Sequence, residues 1–130
     1  MNLVVDTSIL VAVLVSEPER EKLIELTADA DLLAPGSVHW EIGNALAAMM
    51  KRKRLELEQV TACVQAYEQI PIRFRDVDLQ LAMEIASDHD LCAYDAYIIA
   101  CAREHRCAMI TLDRSLSQAA KQAHISVVEV

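Results

Sequence analysis

The chain opens on a short unbroken apolar run, Leu3-Val4-Val5, cut off by Asp6-Thr7-Ser8. A continuous run of this length predicts a strand buried on both faces, because a half-exposed strand would alternate with polar residues. Ile9 to Val15 follows without a turn signal, so the strand is predicted to lead directly into a helix. That helix is apolar all round, which means full burial or a subunit contact. Ser16-Glu17-Pro18-Glu19 has the form of a capping box with proline near a helix start, and predicts a second helix carrying Leu23, Ile24 and Leu26. Leu32-Leu33-Ala34 predicts a second strand, stopped by Pro35-Gly36.

Ser37 is a suitable N-cap for a helix whose stripe is Val38, Ile42, Ala45, Leu46 and Met49, and which closes in Lys51-Arg52-Lys53-Arg54. Val60, Cys63, Val64 and Tyr67 recur at helical spacing; Ile70, Ile72 and Phe74 alternate as a third strand. Asp78 can cap a helix with Ala82, Ile85 and Ala86 inward. A helix is predicted over about Ala93 to Glu104, a fourth strand over Ala108 to Leu112, a helix over Ser115 to Ala123, and a closing strand over Ser126 to Val130. Strands alternating with helices, sometimes two per crossover, predict a parallel sheet covered on both faces. No repeat, linker or low-complexity stretch interrupts it, and at 130 residues one domain is expected.

Composition sharpens this picture at a few points. Hydrophobic residues make up 54% of the chain but aromatics only 4%, so the core must be aliphatic. The formal net charge of -8 and the sequence pI of about 4.9 weigh against non-specific nucleic-acid binding. Cys63, Cys92, Cys101 and Cys107 form no C-x-x-C pair and sit in apolar patterns, as buried free thiols of a reducing cytosol would. The longest apolar segment is too short to span a bilayer, and no basic leader precedes it, so a cytoplasmic protein with no membrane association is expected.

The chemistry lies in four carboxylates. Asp6 and Asp113 each follow an apolar strand, and Glu41 and Asp95 fall in the first turns of two apolar helices. All four are therefore expected at the carboxyl ends of the strands, where open parallel sheets bind ligands. Asp95 shares an i, i+3, i+4, i+7 row with Ile98, Ile99 and Ala102, and a carboxylate in a core-facing row needs a partner. Each acid taken singly could be a helix cap or a helix-dipole partner. Four together demand a cation, and oxygen donors suit Mg²⁺ or Mn²⁺ and hence phosphate chemistry.

These segments resemble the PIN-domain ribonucleases, above all the toxin component of VapBC-type toxin–antitoxin modules. The resemblance rests on Val5-Asp6-Thr7-Ser8, Ala34-Pro35-Gly36-Ser37, Glu41-Ile42-Gly43-Asn44-Ala45-Leu46, Tyr94-Asp95-Ala96 and Thr111-Leu112-Asp113, in that order, across essentially the whole chain. It implies a PIN-like three-layer α/β/α fold, with a central parallel sheet of about four to five strands flanked by helices. Residues 1–130 would form a single PIN-like domain. It also implies a metal-dependent endoribonuclease in which Asp6, Glu41, Asp95 and Asp113 are at once catalytic and ligands of Mg²⁺ (or Mn²⁺). Thr7, Ser8, Asn44 and Thr111 would support the site. The products would be a 5′-phosphate and a 3′-hydroxyl, and the partners an RNA substrate, a cognate antitoxin protein and a second copy in a homodimer.

Lys51, Arg52, Lys53, Arg54 and Arg114 are candidate RNA contacts that would offset the acidic charge, with Arg73 and Arg75 as further ones. The pattern departs from some members of the family after Asp113, where Arg114, Ser115 and Ser117 stand in place of a further acid. A PIN-like module that binds RNA or protein without cleaving it is the alternative. A phosphate-receiver domain would want an acidic pair after the first strand, where Thr7 and Ser8 stand. His39-x-Glu41 lacks the P-C-x-x-C of zinc deaminases, and Cys101, His105 and Cys107 have no fourth zinc ligand at a suitable spacing.

Overall fold

A computed structural model describes all of residues 1–130. Four parallel strands, β1 (Asn2–Val5), β2 (Asp31–Pro35), β3 (Ile72–Arg75) and β4 (Ala108–Ile110), lie in the order β3-β2-β1-β4. Seven helices flank them: α1 (Thr7–Leu14), α2 (Arg20–Thr27), α3 (Ser37–Lys51), α4 (Leu57–Glu68), α5 (Leu79–His89), α6 (Ala93–His105) and α7 (Arg114–Gln122). β1 pairs with β2 from Asn2 opposite Asp31, and with β4 from Leu3 opposite Ala108.

The strand order decides where a ligand can go. Leaving β1, the chain steps outward to β2 and then β3, with α1 to α4 packed on one another along one face. It then returns past β1 to β4 through α5 and α6, and α6 lies against β1, β2 and β4. Parallel crossovers are right-handed, so this reversal forces α5 and α6 onto the opposite face. Between β1 and β4 the connections therefore diverge, leaving a crevice above the carboxyl ends of those two strands. Leu3, Val4 and Val5 are fully buried between the two helical layers, as are Met109 and Ile110. The core around them is aliphatic, with Leu23, Leu33, Val38, Ile85, Ile98, Ile99 and Leu116.

Several boundaries differ from the sequence pattern, each for a local reason. Ser16 takes a left-handed backbone (φ 57°) that ends α1, with Glu17 N–H donating back to Ala12 O at 2.9 Å, so Ser16 to Glu19 is no capping box. α2 starts only at Arg20, without a side-chain cap. A capping hydrogen bond of that kind occurs instead at α4, where Gln59 Oε1 accepts from Glu56 N–H at 2.9 Å. Gly36 rather than Ser37 is the N-cap of α3. Asp78 does cap α5, accepting from Leu81 N–H at 2.9 Å. The expected closing strand is reduced to one bridge, Met109 to Val127, held by two backbone hydrogen bonds. Of the four thiols, Cys63 and Cys101 are buried and Cys107 is half-buried, but Cys92 is exposed at the N-cap of α6.

Ile99 is wholly enclosed on α6, one turn beyond Asp95, so Ile99→Ala should cost about 2–5 kcal/mol in urea unfolding. A loss below 1 kcal/mol would mean that α6 is not clamped to the sheet as described.

Candidate active site

Asp6 is the residue immediately after β1, 8% exposed, at the head of the crevice. It is the N-cap of α1 by position but makes no side-chain capping bond. Its Oδ2 instead accepts two hydroxyls, Thr111 Oγ1 at 2.7 Å and Ser8 Oγ at 2.8 Å. Thr111 follows β4 and Ser8 lies in α1, so both walls of the crevice grip one carboxylate oxygen. The clasp continues through the backbone: Leu112 N–H donates to Ser8 Oγ at 3.0 Å, and Asp113 N–H to Thr111 Oγ1 at 3.0 Å. Oδ1 of Asp6 takes part in none of these bonds.

Asp113 stands three residues beyond the end of β4, not just past it as the apolar run suggested, because β4 ends at Ile110. It caps α7, its Oδ1 accepting from Ser115 N–H at 2.9 Å and Leu116 N–H at 3.2 Å. Asp95 is in the first turn of α6 and half-buried. Glu41 is half-buried at the start of the second turn of α3, one position further along the helix than a Ser37 N-cap would put it, because that helix begins at Ser37. Ser37 Oγ turns from capping to donate to Glu41 Oε2 at 3.3 Å.

Electrostatics ties the four together. Burial raises the Glu41 carboxyl above its ordinary value, and the Asp6 charge raises it further. Hydrogen bonding from Ser37 and Thr7 offsets part of this, while Asp95 adds to it. Asp95 is likewise raised, first by burial, then by Asp113 and Asp6, against a small offset from the Cys92 thiol. Like charges within reach of one another produce this pattern. The chain's ion pairs, Met1–Asp31, Arg54–Glu17 and Lys121–Glu129, involve none of the four.

Thr7 Oγ1 is buried here without a well-formed hydrogen bond to any protein atom, although it points closely enough to Glu41 to lower its pKa. A buried hydroxyl without a full partner beside uncompensated carboxylates fits a hydrated cation in chemistry and charge. No three acidic, histidine or cysteine side chains stand close enough to grip one ion directly. A cation here would therefore keep much of its water shell, as Mg²⁺ ordinarily does. Zinc chemistry at Cys101 is disfavoured, since burial pushes that thiol up to about 12.

The other expected residues divide. Ser8 and Thr111 are brought to Asp6 and Thr7 to Glu41, whereas Asn44 is exposed further along α3 and hydrogen-bonds to no other residue. Arg114 adjoins Asp113 at the start of α7. Lys51 to Arg54 are exposed at the far end of α3, about 15 Å along the helix from Glu41 and beyond, toward the amino ends of the strands. Sequence reasoning missed Ser37 as a partner of Glu41; its i, i+4 spacing to the acid was the available signal.

The chain belongs to the PIN domain family, whose model matches residues 3–122. The architecture above is accordingly the three-layer α/β/α PIN fold. No curated protein matches it significantly in sequence. Among solved structures it is similar to PAE2754 from Pyrobaculum aerophilum, at 20% identity and TM-score 0.73, covering 98% of this chain and 83% of that one. VapBC2 from Rickettsia felis, bound to a DNA fragment from their promoter, matches at 14% identity and TM-score 0.72, covering 98% of each chain. VapC20 from Mycobacterium tuberculosis, a sarcin-ricin loop cleaving toxin, matches at 16% identity and TM-score 0.66, covering 90% of this chain and 94% of that one. At these identities the likeness speaks for the fold.

A raised carboxyl pKa means that the folded state holds its proton more tightly than the unfolded one. The resulting stabilisation is complete below the ordinary carboxyl range and is lost as pH rises through the raised value. Ionised Glu41 thus opposes folding at neutral pH. In chelator at pH 7.5, Glu41→Gln should melt roughly 1–3 °C above the parent, a small gain because the group is half-exposed. The difference should vanish near pH 4. A variant melting below the parent at pH 7.5 would contradict the charge crowding.

Proposed function

We propose that this chain is a metal-dependent endoribonuclease that hydrolyses RNA phosphodiester bonds and acts as the toxin of a toxin–antitoxin pair. The observation that carries the reading is the set of four carboxylates at the strand switch point with no protein cation ion-paired to any of them. A stable fold has no use for that arrangement unless something positive completes it.

In this reading Asp6, with Oδ2 fixed by Ser8 and Thr111, would hold Mg²⁺ or Mn²⁺, with Glu41, Asp95 and Asp113 supplying the remaining negative charge. The cation, when bound, polarises the phosphoryl group and lowers the pKa of a coordinated water. Asp95 and Glu41, both raised above the ordinary carboxyl value, are the better proton acceptors of the four. Asp113 is held at the start of α7 by the Ser115 and Leu116 amides, which fix its carboxylate in place. Arg114 is placed to meet a substrate phosphate near Asp113. No side-chain nucleophile is needed.

The toxin role and the antitoxin partner are supported by likeness, since solved structures of this fold include a VapBC pair and a VapC toxin, and a homodimer belongs to the same proposal. No helix is long and apolar enough to cross a membrane. Action in the cytoplasm, where RNA is the substrate, belongs to the same proposal.

The purified chain, freed of any co-purifying partner, should cut a mixed RNA pool with Mg²⁺ or Mn²⁺ and not in chelator. Asp6→Asn should lower the rate at least about 100-fold while remaining folded. The cation should also stabilise the protein at pH 7.5, by about 2.7 kcal/mol at 100 times its Kd, and much less near pH 4. A folded, cation-stabilised chain that cuts no RNA would favour the binding module instead. Cleavage that survives chelator or Asp6→Asn would remove the acidic site from the mechanism.

A further inference from the structure

The chain has one Trp, three Tyr and one Phe, and only Tyr67 of these is buried in its core, with Tyr97 packed against it. Trp40 is 73% exposed, Tyr94 51% and Phe74 40%, although such side chains are ordinarily the largest contributors to burial. Their positions are not scattered. Trp40 immediately precedes Glu41, and Tyr94 immediately precedes Asp95. α3 and α6 both begin at the carboxyl end of the sheet but lie on its opposite faces, so each ring is carried by a helix that brings one of the acids to the opening.

Both rings are braced. Tyr94 stands edge-on to Tyr97 with centroids 6.1 Å apart. Trp40 stands edge-on to His39 at 4.7 Å. His39 is fixed in turn by a 2.9 Å hydrogen bond between its Nδ1 and the Tyr67 hydroxyl, and lies edge-on to Phe74 at 5.8 Å. A shallow pocket of about 210 Å³ opens beside the centre, with Tyr97, Arg75 and Ser37 in its wall. Ser37 is the residue bonded to Glu41, and the Arg75 guanidinium has no ion-pair partner.

We propose that Trp40 and the Tyr94–Tyr97 pair are stacking platforms for the unpaired bases on either side of the phosphate to be cut in single-stranded RNA. The proposal rests on the nuclease reading and adds how substrate is held. A chain of net charge -8, whose basic run lies at the far end of α3, has little with which to hold phosphates near the site. Stacking needs no positive charge, and every base has a π-face. Unpaired RNA is the form whose bases are free to stack on protein rings.

The test uses the full chain carrying Asp6→Asn with Mg²⁺ and a labelled unstructured 12-mer RNA. Trp40 is the sole tryptophan, so its fluorescence reads the contact directly and should be quenched on binding. Trp40→Leu and Tyr94→Leu should each weaken binding about 5- to 100-fold, while Trp40→Phe retains most of it. An abasic strand of the same length should bind far more weakly than the 12-mer. The slope of log affinity against log salt should be no steeper than about -1.4, the value for two phosphate contacts on a single strand. Unchanged affinity in both leucine variants, or equal binding of the abasic strand, overturns the proposal. In the parent background, RNA cleavage with unchanged KM in Trp40→Leu would sink the stacking role and leave the nuclease standing. Absence of any RNA cleavage or binding by the intact chain would sink both. Loss of binding to a co-expressed protein in the leucine variants, with RNA affinity intact, would reassign the rings to a protein contact and overturn the proposal as well.

Discussion

Uncompensated negative charge at one end of the sheet is the constraint that organises this molecule. Reversal of strand order between β1 and β4 opens the crevice, and right-handed crossovers put α3 and α6 on opposite faces above it. Each of those helices brings a carboxylate to the opening, and β1 and the start of α7 bring one each. Nothing basic is ion-paired to any of them. The fold tolerates this because an aliphatic core built on the buried strands supplies its stability elsewhere. Sites of this kind exchange some stability for function.

The two hydroxyls on Asp6 show how local sequence serves the same constraint. Serine two residues after an N-cap position and threonine at a strand end are unremarkable alone. Together they turn a residue that would otherwise cap α1 into one whose carboxylate faces the crevice. They also lace β1 to the segment after β4 through Leu112 and Asp113, so the site closes the seam between the first and last strands.

Much of this was legible in the chain. The apolar runs at Leu3 to Val5 and Met109 to Ile110 marked buried parallel strands because such strands are covered on both faces. Asp6 and Asp95 could be located because they interrupt or join apolar rows. What failed were signals that depend on competition between local partners. Ser16-Glu17-Pro18-Glu19 spells a cap, but ending α1 required a left-handed residue, and Ser16 took that conformation instead. Ser37 spells an N-cap, but its hydroxyl found Glu41. Val127 pairs with only one residue, so an apolar alternation of strand length yielded a single bridge. The basic run expected to contact RNA lies at the opposite end of α3 from Glu41. A helix of this length separates its ends by about 20 Å, which composition does not convey.

The four acids are not equivalent, and their differences follow from where each backbone places it. Asp113 is satisfied by two amide groups at a helix start. Asp6 is satisfied by two hydroxyls on one oxygen and leaves the other unbonded. Glu41 and Asp95 have the least support, and burial with like charge raises both. An anchored pair and a raised pair at one crevice separate the tasks a metal-assisted hydrolysis would need: holding a cation in place, and taking up a proton. The division arises from fold position. Asp6 and Asp113, beyond the strand ends, each meet two hydroxyls or amides of the next turn, whereas Glu41 and Asp95, on helix flanks, have weaker polar support against burial and the neighbouring charges.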